Sequence, residues 1–426
     1  KLTIYKNSGL TFNNKSTSTL LSVAMFSGSS MTHADHDFGV AAMAADVNLK
    51  VLGDFDLKAG ATVTVSQRGF SRGSGGPGYC GASTGTGAGQ CDQYGSAGSS
   101  YGGQGGFGGS DDNEYYGPAY GSITNPVELG SGGPGGYAAA GYGRAGGDGG
   151  GLVILDVGGA FTLNGSIRAD GGNAAAPGAD ANGGGGGSGG AINIKAGTLS
   201  GSGTLTALGG KGAMSDAYPG GGGGGGRIAV VVTGSDSSTL SLNAGPGATI
   251  SPTWGRSGGV GTIAWKRPAA GLYDLKLLAG ATVAQSATPI YGETFDQVTV
   301  SGLVLATGTA SGVGFFVTAT DFSIPSGSTL SATGMGHPGG QGGDTNCMNG
   351  LGPGAGTCSL YGNPGAGYGG LGGWGADNRP KYVGPSYGSL TNPAELGSGG
   401  AGGASYRRGG WGGGLIKLSV SGTLTL

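Results

Sequence analysis

Short runs of alternating apolar and polar residues recur along the chain, and each one opens directly after a glycine-rich stretch. Alternation with a period of two is typical of β-strands, and no long stretch has the 3.6-residue period of an amphipathic helix. The clearest openings fall about every 35 to 40 residues, at Gly151-Leu152, Ala191-Ile192, Arg227-Ile228 and Thr262-Ile263.

A shorter motif follows the openings. It has an apolar position, a small turn with glycine, and alternating apolar residues that run into paired glycines, as in residues 54–65, 161–169, 198–207 and 321–331. One such unit cannot bury its own apolar face, whereas stacked units share a continuous core. We therefore predict an all-β chain with little or no helix, built as a parallel β-helix or related β-solenoid with glycine-rich excursions along one side.

A long segment of the chain is duplicated at an offset of 267 residues. Residues 117–131 read GPAYGSITNPVELGS, and residues 384–398 read GPSYGSLTNPAELGS. The offset holds without a gap back to Asp54 and Asp321. These landmarks predict an N-terminal β segment at 1–53, a first glycine-rich repeat at 54–266, a β-rich connector at 267–320 and a partial second copy at 321–426.

Glycine supplies 108 of the 426 residues, against a usual share of roughly 7%. The strict third-residue spacing of collagen is missing. Runs such as 183–187 and 220–226 are interpreted either as flexible linkers or as polyglycine II, an extended helix with three residues per turn. Their regular spacing between stacking strands favours ordered polyglycine II. Ordering glycine is entropically expensive, so such a bundle must gain cooperatively from lateral bonds and aromatic caps.

Aromatic residues separated by glycine pairs recur at equivalent positions of both copies. Two interpretations stay open: rings that cap a backbone bundle, which we favour, or rings that stack on sugars at an adhesive face. The matched residues are Tyr101, Phe107 and Tyr120 in the first copy and Tyr368, Trp374 and Tyr387 in the second.

The four cysteines form two pairs with identical spacing, Cys80 with Cys91 and Cys347 with Cys358. Three connectivities are open in principle, and the equal spacing favours these local bridges. Each bridge would pin a glycine-rich excursion and would require an oxidising compartment, hence export. A zinc site is the rival interpretation, but neither copy has a histidine near its cysteines.

Charge and motif searches point away from catalysis. Only 10% of residues are charged and the formal net charge is −2 without a basic block, so we expect no nucleic-acid partner. No apolar stretch has the length of a membrane helix, so we expect no membrane insertion. No recurring set of carboxylates resembles a catalytic site, and we expect neither enzymatic activity nor a cofactor.

Two polar clusters contain residue types that bind metal ions. Residues 111–114 (DDNE) resemble a small calcium site, but the second copy has Asn-Arg-Pro-Lys at 378–381, which favours a solvated loop and leaves calcium as an open alternative. His33, Asp35, His36 and Asp37 are interpreted as a polar loop rather than metal ligands or an acid–base pair.

A glycine run followed by RIAVV (227–231) or AINI (191–194), then by a Leu-x-Gly-x-Gly-x-Leu segment at 199–205, resembles large glycine-rich repeat proteins of microbial cell surfaces. Residues 54–265 and 321–426 carry this resemblance, and residues 1–50 do not. The glycine runs are more weakly similar to the polyglycine sandwich of certain phage tail-fibre adhesins. Both resemblances imply exported scaffold or adhesive proteins, and neither transfers a catalytic residue.

These observations predict an extracellular or cell-surface structural protein that forms or decorates a filament or matrix by head-to-tail β stacking. The chain opens without Met, which suggests a processed or partial product, and it closes inside a strand pattern at Leu424, Thr425 and Leu426. The expected contact on that edge is made by the continuing chain or by a neighbour's opening strand of Lys1, Leu2, Thr3, Ile4 and Tyr5. The alternatives are an adhesin that binds surface polysaccharide and, less favoured, a polysaccharide-degrading β-helix enzyme.

Overall fold

The fold was analysed in a computed structural model. It describes residues 1–35, 45–92, 94–109, 117–138, 144–176, 182–214, 218–248, 257–266, 271–277, 282–284, 294–300, 303–307, 315–333, 336–340, 347–359, 363–375, 383–403 and 409–426. Every regular element in these residues is a β-strand and none is a helix, so the predicted all-β class is confirmed.

The largest sheet has fourteen strands. Its main path runs through β1 (Leu2–Ile4), β4 (Val23–Met25), β7 (Phe55–Leu57), β9 (Leu152–Leu163), β11 (Ala191–Ser200), β13 (Arg227–Val232), β15 (Thr262–Lys266), β16 (Tyr273–Leu277), β18 (Thr294–Val300), β20 (Phe315–Ser323) and β22 (Ile416–Val420). Three further strands join it, β3 (Ser18–Leu20), β6 (Val47–Val51) and β23 (Leu424–Thr425).

Two smaller sheets accompany the large one. The six-stranded sheet contains β2 (Gly9–Phe12), β5 (Ser30–His33), β8 (Thr62–Thr64), β10 (Ser166–Arg168), β12 (Thr204–Thr206) and β14 (Ser241–Asn243). The three-stranded sheet contains β17 (Thr282–Ala284), β19 (Leu303–Thr307) and β21 (Thr329–Ser331). Their strand pairs are all parallel.

The four strand openings singled out in the sequence pair with one another in register. Val153 lies beside Ile192, Ile192 beside Ile228, and Ile228 beside Ile263, all in parallel pairs. These four residues thus form one ladder of β-branched side chains, all of them buried. The step from β15 to β16 is antiparallel, with Ala264 opposite Leu275, and it interrupts this parallel order.

Apolar side chains from the large and six-stranded sheets share one core. It extends from Ile4 to Ile263 and includes a stacked pair, Phe55 on Phe161, with ring centroids 5.0 Å apart. A second cluster spans the antiparallel step and extends from Val260 and Ala264 to Phe295, Phe315 and Phe322. Burying a side chain of this size stabilises the fold by roughly 1.5–3 kcal/mol.

The glycine-rich excursions leave the sheets and return at the first residue of a large-sheet strand. Residues 183–190 run directly into β11, and residues 220–226 run directly into β13. Both runs are buried along their whole length. The sheets therefore fix where each glycine segment ends.

Candidate functional site

The glycine run 183–190 is held by backbone hydrogen bonds with a period of three residues. The N–H groups of Gly183, Gly186 and Gly189 donate to the carbonyl oxygens of Tyr218, Gly221 and Gly224, at 2.8, 2.9 and 2.9 Å. Every third residue thus faces the same neighbouring segment, which runs in the same direction.

The other N–H groups of this run face two more segments. Gly185 and Ser188 donate to Pro134 and Ser131, at 2.9 and 3.0 Å, so that this neighbour runs in the opposite direction. A third face consists of bonds from Gly187 to Gly172 at 3.0 Å and from Gly190 to Ala169 at 2.7 Å.

The carbonyl oxygens of the run accept bonds from three further segments. The donors are Ser96 and Ser99 on one face, Gly147 and Gly150 on the second, and Gly210 and Ala213 on the third, at distances of 2.8 to 3.1 Å. One segment is therefore surrounded by six others, namely 96–99, 131–134, 147–150, 169–172, 210–213 and 218–224. We call residues 183–190, 220–226 and these neighbours the glycine bundle.

Backbones in the glycine bundle approach too closely for side chains. A Cβ atom on Gly186 would lie 2.0 Å from the carbonyl oxygen of Gly210, and one on Gly220 would lie 1.9 Å from that of Gly184. Both obstacles are backbone atoms, which cannot swing aside as a flexible side chain can. Glycine is needed at these positions for space, whatever the local dihedral angles.

Serines cross-link the segments of the bundle. The Ser99 hydroxyl donates to the Ser131 carbonyl at 2.7 Å, and the Ser131 N–H donates to the Ser188 hydroxyl at 2.8 Å. All three residues are buried. The sequence pattern does not predict this role, although Ser131 and Ser188, each flanked by glycines, are the available signal.

An aromatic pair lies beside the bundle segment 131–134. The rings of Tyr101 and Tyr120 are buried, with centroids 4.7 Å apart. The Tyr120 hydroxyl contacts the Leu129 carbonyl at 2.5 Å and the Ser131 hydroxyl at 2.9 Å. The Tyr101 hydroxyl donates to the Glu128 carboxylate at 3.2 Å. Burial raises the pKa of both phenols above the ordinary value of 10.0.

Arg227, the first residue of β13, contacts both tyrosines of this pair. It is 3% exposed, and its Nε donates to the Tyr120 carbonyl at 2.9 Å. One terminal nitrogen donates to the Thr262 hydroxyl at 3.0 Å, and the guanidinium carbon lies 5.6 Å from the centre of the Tyr101 ring. The sequence pattern places Arg227 only at a strand opening and does not indicate these contacts.

The second repeat reproduces the aromatic pair in a more open setting. Tyr368 and Tyr387 have ring centroids 4.9 Å apart, and the Ser398 hydroxyl lies 2.8 Å from the Tyr387 hydroxyl. Desolvation raises the pKa of Tyr387. Trp374 is 62% exposed, whereas its counterpart Phe107 is half-buried.

Both disulfides predicted from the spacing are confirmed. Cys80 is bonded to Cys91 and Cys347 to Cys358, with Cα–Cα distances of 5.6 and 5.5 Å. The first bridge closes a loop whose Gly81 carbonyl accepts a bond at 2.9 Å from the N–H of Gly135, the residue that follows the bundle segment 131–134.

The residues considered for assembly lie in edge elements of the large sheet. Leu2, Thr3 and Ile4 form β1 and pair with β4, while Lys1 and Tyr5 flank that strand and are exposed. Leu424 and Thr425 form β23, which pairs with β20, and Leu426 follows it on the surface.

The residues considered for metal binding are only partly described. The buried His33 ring lies 2.8 Å from the Ala34 carbonyl through Nδ1 and accepts a bond from the Leu152 N–H at 3.4 Å through Nε2. Asp35 forms an ion pair with Arg68. His36, Asp37, residues 111–114 and residues 378–381 lie outside the described residues. Within the described ranges, no three His, Cys, Asp or Glu side chains are grouped as metal ligands would be.

Comparison of the chain with protein-family models, curated proteins and solved structures finds no match in any of the three. Among the described residues, no helix has the length and apolar character needed to cross a membrane.

Proposed function

We propose that the chain is an extracellular structural protein, an element of a surface filament or matrix. In this proposal the parallel sheets are the coils of a β-solenoid and the glycine bundle is polyglycine II. The observation that carries it is the run 183–190, buried and hydrogen-bonded to six neighbours with a period of three. Three residues per turn is the repeat of a polyglycine II helix.

The chemistry of the bundle supports a mechanical role. Fixing the backbone of one residue costs about 1–2 kcal/mol, and glycine is at the expensive end of that range. Lateral hydrogen bonds in a buried environment offset this cost only when many segments pack together. The resulting bundle is closely packed, and each segment is hydrogen-bonded to neighbours on several sides. Such cross-linking is suited to a protein that bears mechanical load.

The disulfides support an extracellular location. Bridges such as Cys80–Cys91 form and persist in oxidising compartments and are rare in the cytosol. They pin loops that have little apolar core of their own. The proposal assigns no catalytic residue, cofactor or nucleic-acid partner to the chain.

The proposed assembly is head-to-tail stacking of sheets. The order of the large sheet places β1 at one edge and β22 at the other. A strand that pairs with β22 would continue the parallel ladder. Because this contact is head-to-tail, repeated copies would form an open filament rather than a closed oligomer. In a solution of this chain alone, the strand available for this contact is β1 of a neighbouring copy.

Electron microscopy of the purified chain tests the proposal. We expect rods that join end to end into filaments as the concentration rises, and only short rods after deletion of residues 1–12. The control shortens an exposed surface loop elsewhere, by replacing 389–395 with a shorter turn, and should leave filaments intact. Unchanged filaments in the deletion variant, or isolated globular particles in the intact chain, would contradict the proposed assembly.

A further inference from the structure

Equivalent glycines differ in solvent exposure between the two repeats. Just before the strand openings Gly151-Leu152 and Gly414-Leu415, the second copy is four residues shorter than the first. Around these openings, equivalent residues are therefore 263 apart instead of 267. The same inner bonds occur in both: Gly130 donates to Gly150 as Gly397 donates to Gly413, each at 2.8 Å. Four glycines that are buried in the first repeat have exposed counterparts in the second. The buried glycines are Gly103, Gly106, Gly147 and Gly150, and their exposed counterparts are Gly370, Gly373, Gly410 and Gly413.

In the first repeat, these four glycines hold the outer layer of the bundle through their N–H groups. Gly147 and Gly150 donate to Gly185 and Ser188, at 3.0 and 2.8 Å. Gly103 and Gly106 likewise donate to Gly225 and Gly222, at 2.8 and 2.7 Å. In both pairs the donors are three residues apart, which matches the repeat of the glycine runs that they bind.

In the second repeat, the same four N–H groups have no partner in the part of the chain that the structure describes. They lie in two pairs with the same three-residue spacing, at 370 and 373 and at 410 and 413. We call Gly369, Gly370, Gly373, Gly410 and Gly413 the open glycine face.

The open glycine face also has room that the first repeat lacks. A Cβ on Gly147 would lie 1.8 Å from the Gly172 carbonyl oxygen, and one on Gly103 would lie 2.1 Å from that of Gly259. At the five glycines of the open face, an added Cβ would meet nothing within 4 Å. Glycine is the residue that loses most entropy on ordering, so the contacts within the second repeat do not account for its presence at these positions.

Apolar side chains of the second repeat show the same difference. Leu390 is 99% exposed, whereas its counterpart Ile123 is 3% exposed and packs in the cluster that contains Val260 and Ala264. Trp374 is exposed as well. Val260 and Ala264 lie in the later part of the first repeat, after residue 163, for which the second copy has no counterpart in this sequence.

We propose that the open glycine face binds a glycine-rich layer supplied in the same chain. Residues 182–190 and 218–226 form such a layer over residues 103–106 and 147–150 within the first repeat. The starting point of such a layer is already in place. β22 and β23 pair with β20, and Leu424 lies beside Phe322 as Phe161 of β9 lies beside Phe55 of β7. The inference rests on the glycine bundle of the proposed function and does not require filaments to form.

The test extends the full chain by joining a copy of residues 164–266 after Leu426, the counterpart of Leu163. We expect amide hydrogen exchange at Gly370, Gly373, Gly410 and Gly413 to slow by on the order of 100-fold. Trp374 should lose its accessibility to acrylamide quenching. In the matched control, the appended glycines that copy Gly187 and Gly190 become Ala, and the four amides should exchange as in the unextended chain. The reason is that a Cβ at either native position would lie 2.1 Å from a backbone oxygen.

A second arm does not depend on folding of the extension. A peptide with the sequence of residues 182–191 is added to the unextended chain, and it should protect Gly410 and Gly413 while a Gly187→Ala peptide does not. The inference is overturned if neither the extension nor the peptide slows these amides while residues 183–190 of the same molecule stay protected. Rapid exchange at 183–190 would instead contradict the proposed bundle itself. Burial of Trp374 by a second copy, or saturable glycan binding lost in Trp374→Ala, would assign the face another occupant and also overturn it.

Discussion

The backbone N–H of Gly186 donates to the carbonyl oxygen of Gly221, which is 35 residues further along the chain, at 2.9 Å. A few residues later, Ala191 lies beside Arg227 in the β11–β13 ladder, at a separation of 36. The glycine bonds and the strand ladder therefore advance together. The spacing that registers one glycine excursion against the next is within one residue of the spacing that registers the strands, so the bundle continues the order of the sheet.

Substitution inside the bundle should be costly. In Gly186→Ala the new Cβ would lie 2.0 Å from the Gly210 carbonyl oxygen, so one segment must move and strain its lateral bonds. Overpacking of this kind typically costs about 1–3 kcal/mol, and a backbone obstacle belongs at the upper end. Denaturant unfolding followed by circular dichroism should show this loss in the free energy of unfolding.

The control for this prediction is Gly271→Ala. An added Cβ there meets nothing within 4 Å, so the change should be neutral or slightly stabilising. Equal losses in the two variants would mean that glycine is not required for space in the bundle.

Reduction of the disulfides should loosen the excursions and spare the sheets. The Cys80–Cys91 bridge spans a sequence separation of 11, and closing such a loop stabilises by about 3 kcal/mol on the chain-entropy model. In Cys80→Ser/Cys91→Ser, amides near Gly81 and Gly135 should exchange faster, while those of β9 and β11 stay protected. Mass spectrometry of exchanged peptides measures both regions at once. Uniform loss of protection over the chain would show that the bridge supports the whole fold.

Arg227 should matter through its buried contacts. Arg227→Met keeps much of the side-chain volume but removes the donor to the Tyr120 carbonyl and the cation near the Tyr101 ring. Leaving a buried acceptor without its partner costs about 1–3 kcal/mol. Thermal unfolding should show this loss, whereas Arg68→Met, which breaks an ion pair with the exposed Asp35 side chain, should change stability by less than about 1 kcal/mol. Equal stability of Arg227→Met and the parent chain would refute this role.

The buried tyrosines should make the fold sensitive to high pH. Burial raises the pKa of Tyr101 and Tyr120 in the folded chain, so the unfolded chain releases these protons first as pH rises. Stability is therefore fully present below the ordinary tyrosine pKa of 10.0 and falls as pH increases above it. Tyrosinate absorbance at 295 nm should rise in two phases, with the later phase coincident with unfolding. In Tyr101→Phe the later phase should shrink; an unaltered later phase would mean that other tyrosines carry it.

Much of the large sheet could be predicted from sequence because its signal is local. The openings near Leu152, Ile192, Ile228 and Ile263 combine a glycine run with alternating apolar residues, and these residues pair in register. The turn motifs at 161–169 and 198–207 became β10 and β12 with their preceding strands for the same reason. The disulfide pairing followed from equal spacing in two copies.

Other features depend on distant contacts that the sequence does not display. β1 to β5 join the same two sheets as the first repeat, although residues 1–50 lack the glycine signature. The antiparallel pairing of β15 with β16 has no local signal either, because the alternation of apolar residues does not distinguish it from the parallel pairs before it. The buried position of Arg227 follows from Tyr120, which lies more than a hundred residues earlier, so no local pattern could indicate it.

Native-state amide hydrogen exchange of the glycine runs tests the central claim most directly. The account predicts that Gly183, Gly186 and Gly189, and the run 220–226, exchange as slowly as the strands β11 and β13 that they enter. Residue-specific rates from NMR on the folded chain at near-neutral pH provide the measurement. Exchange of these amides at the rate of an unfolded peptide, with β11 and β13 still protected, would show that the runs are loose linkers and would contradict the account.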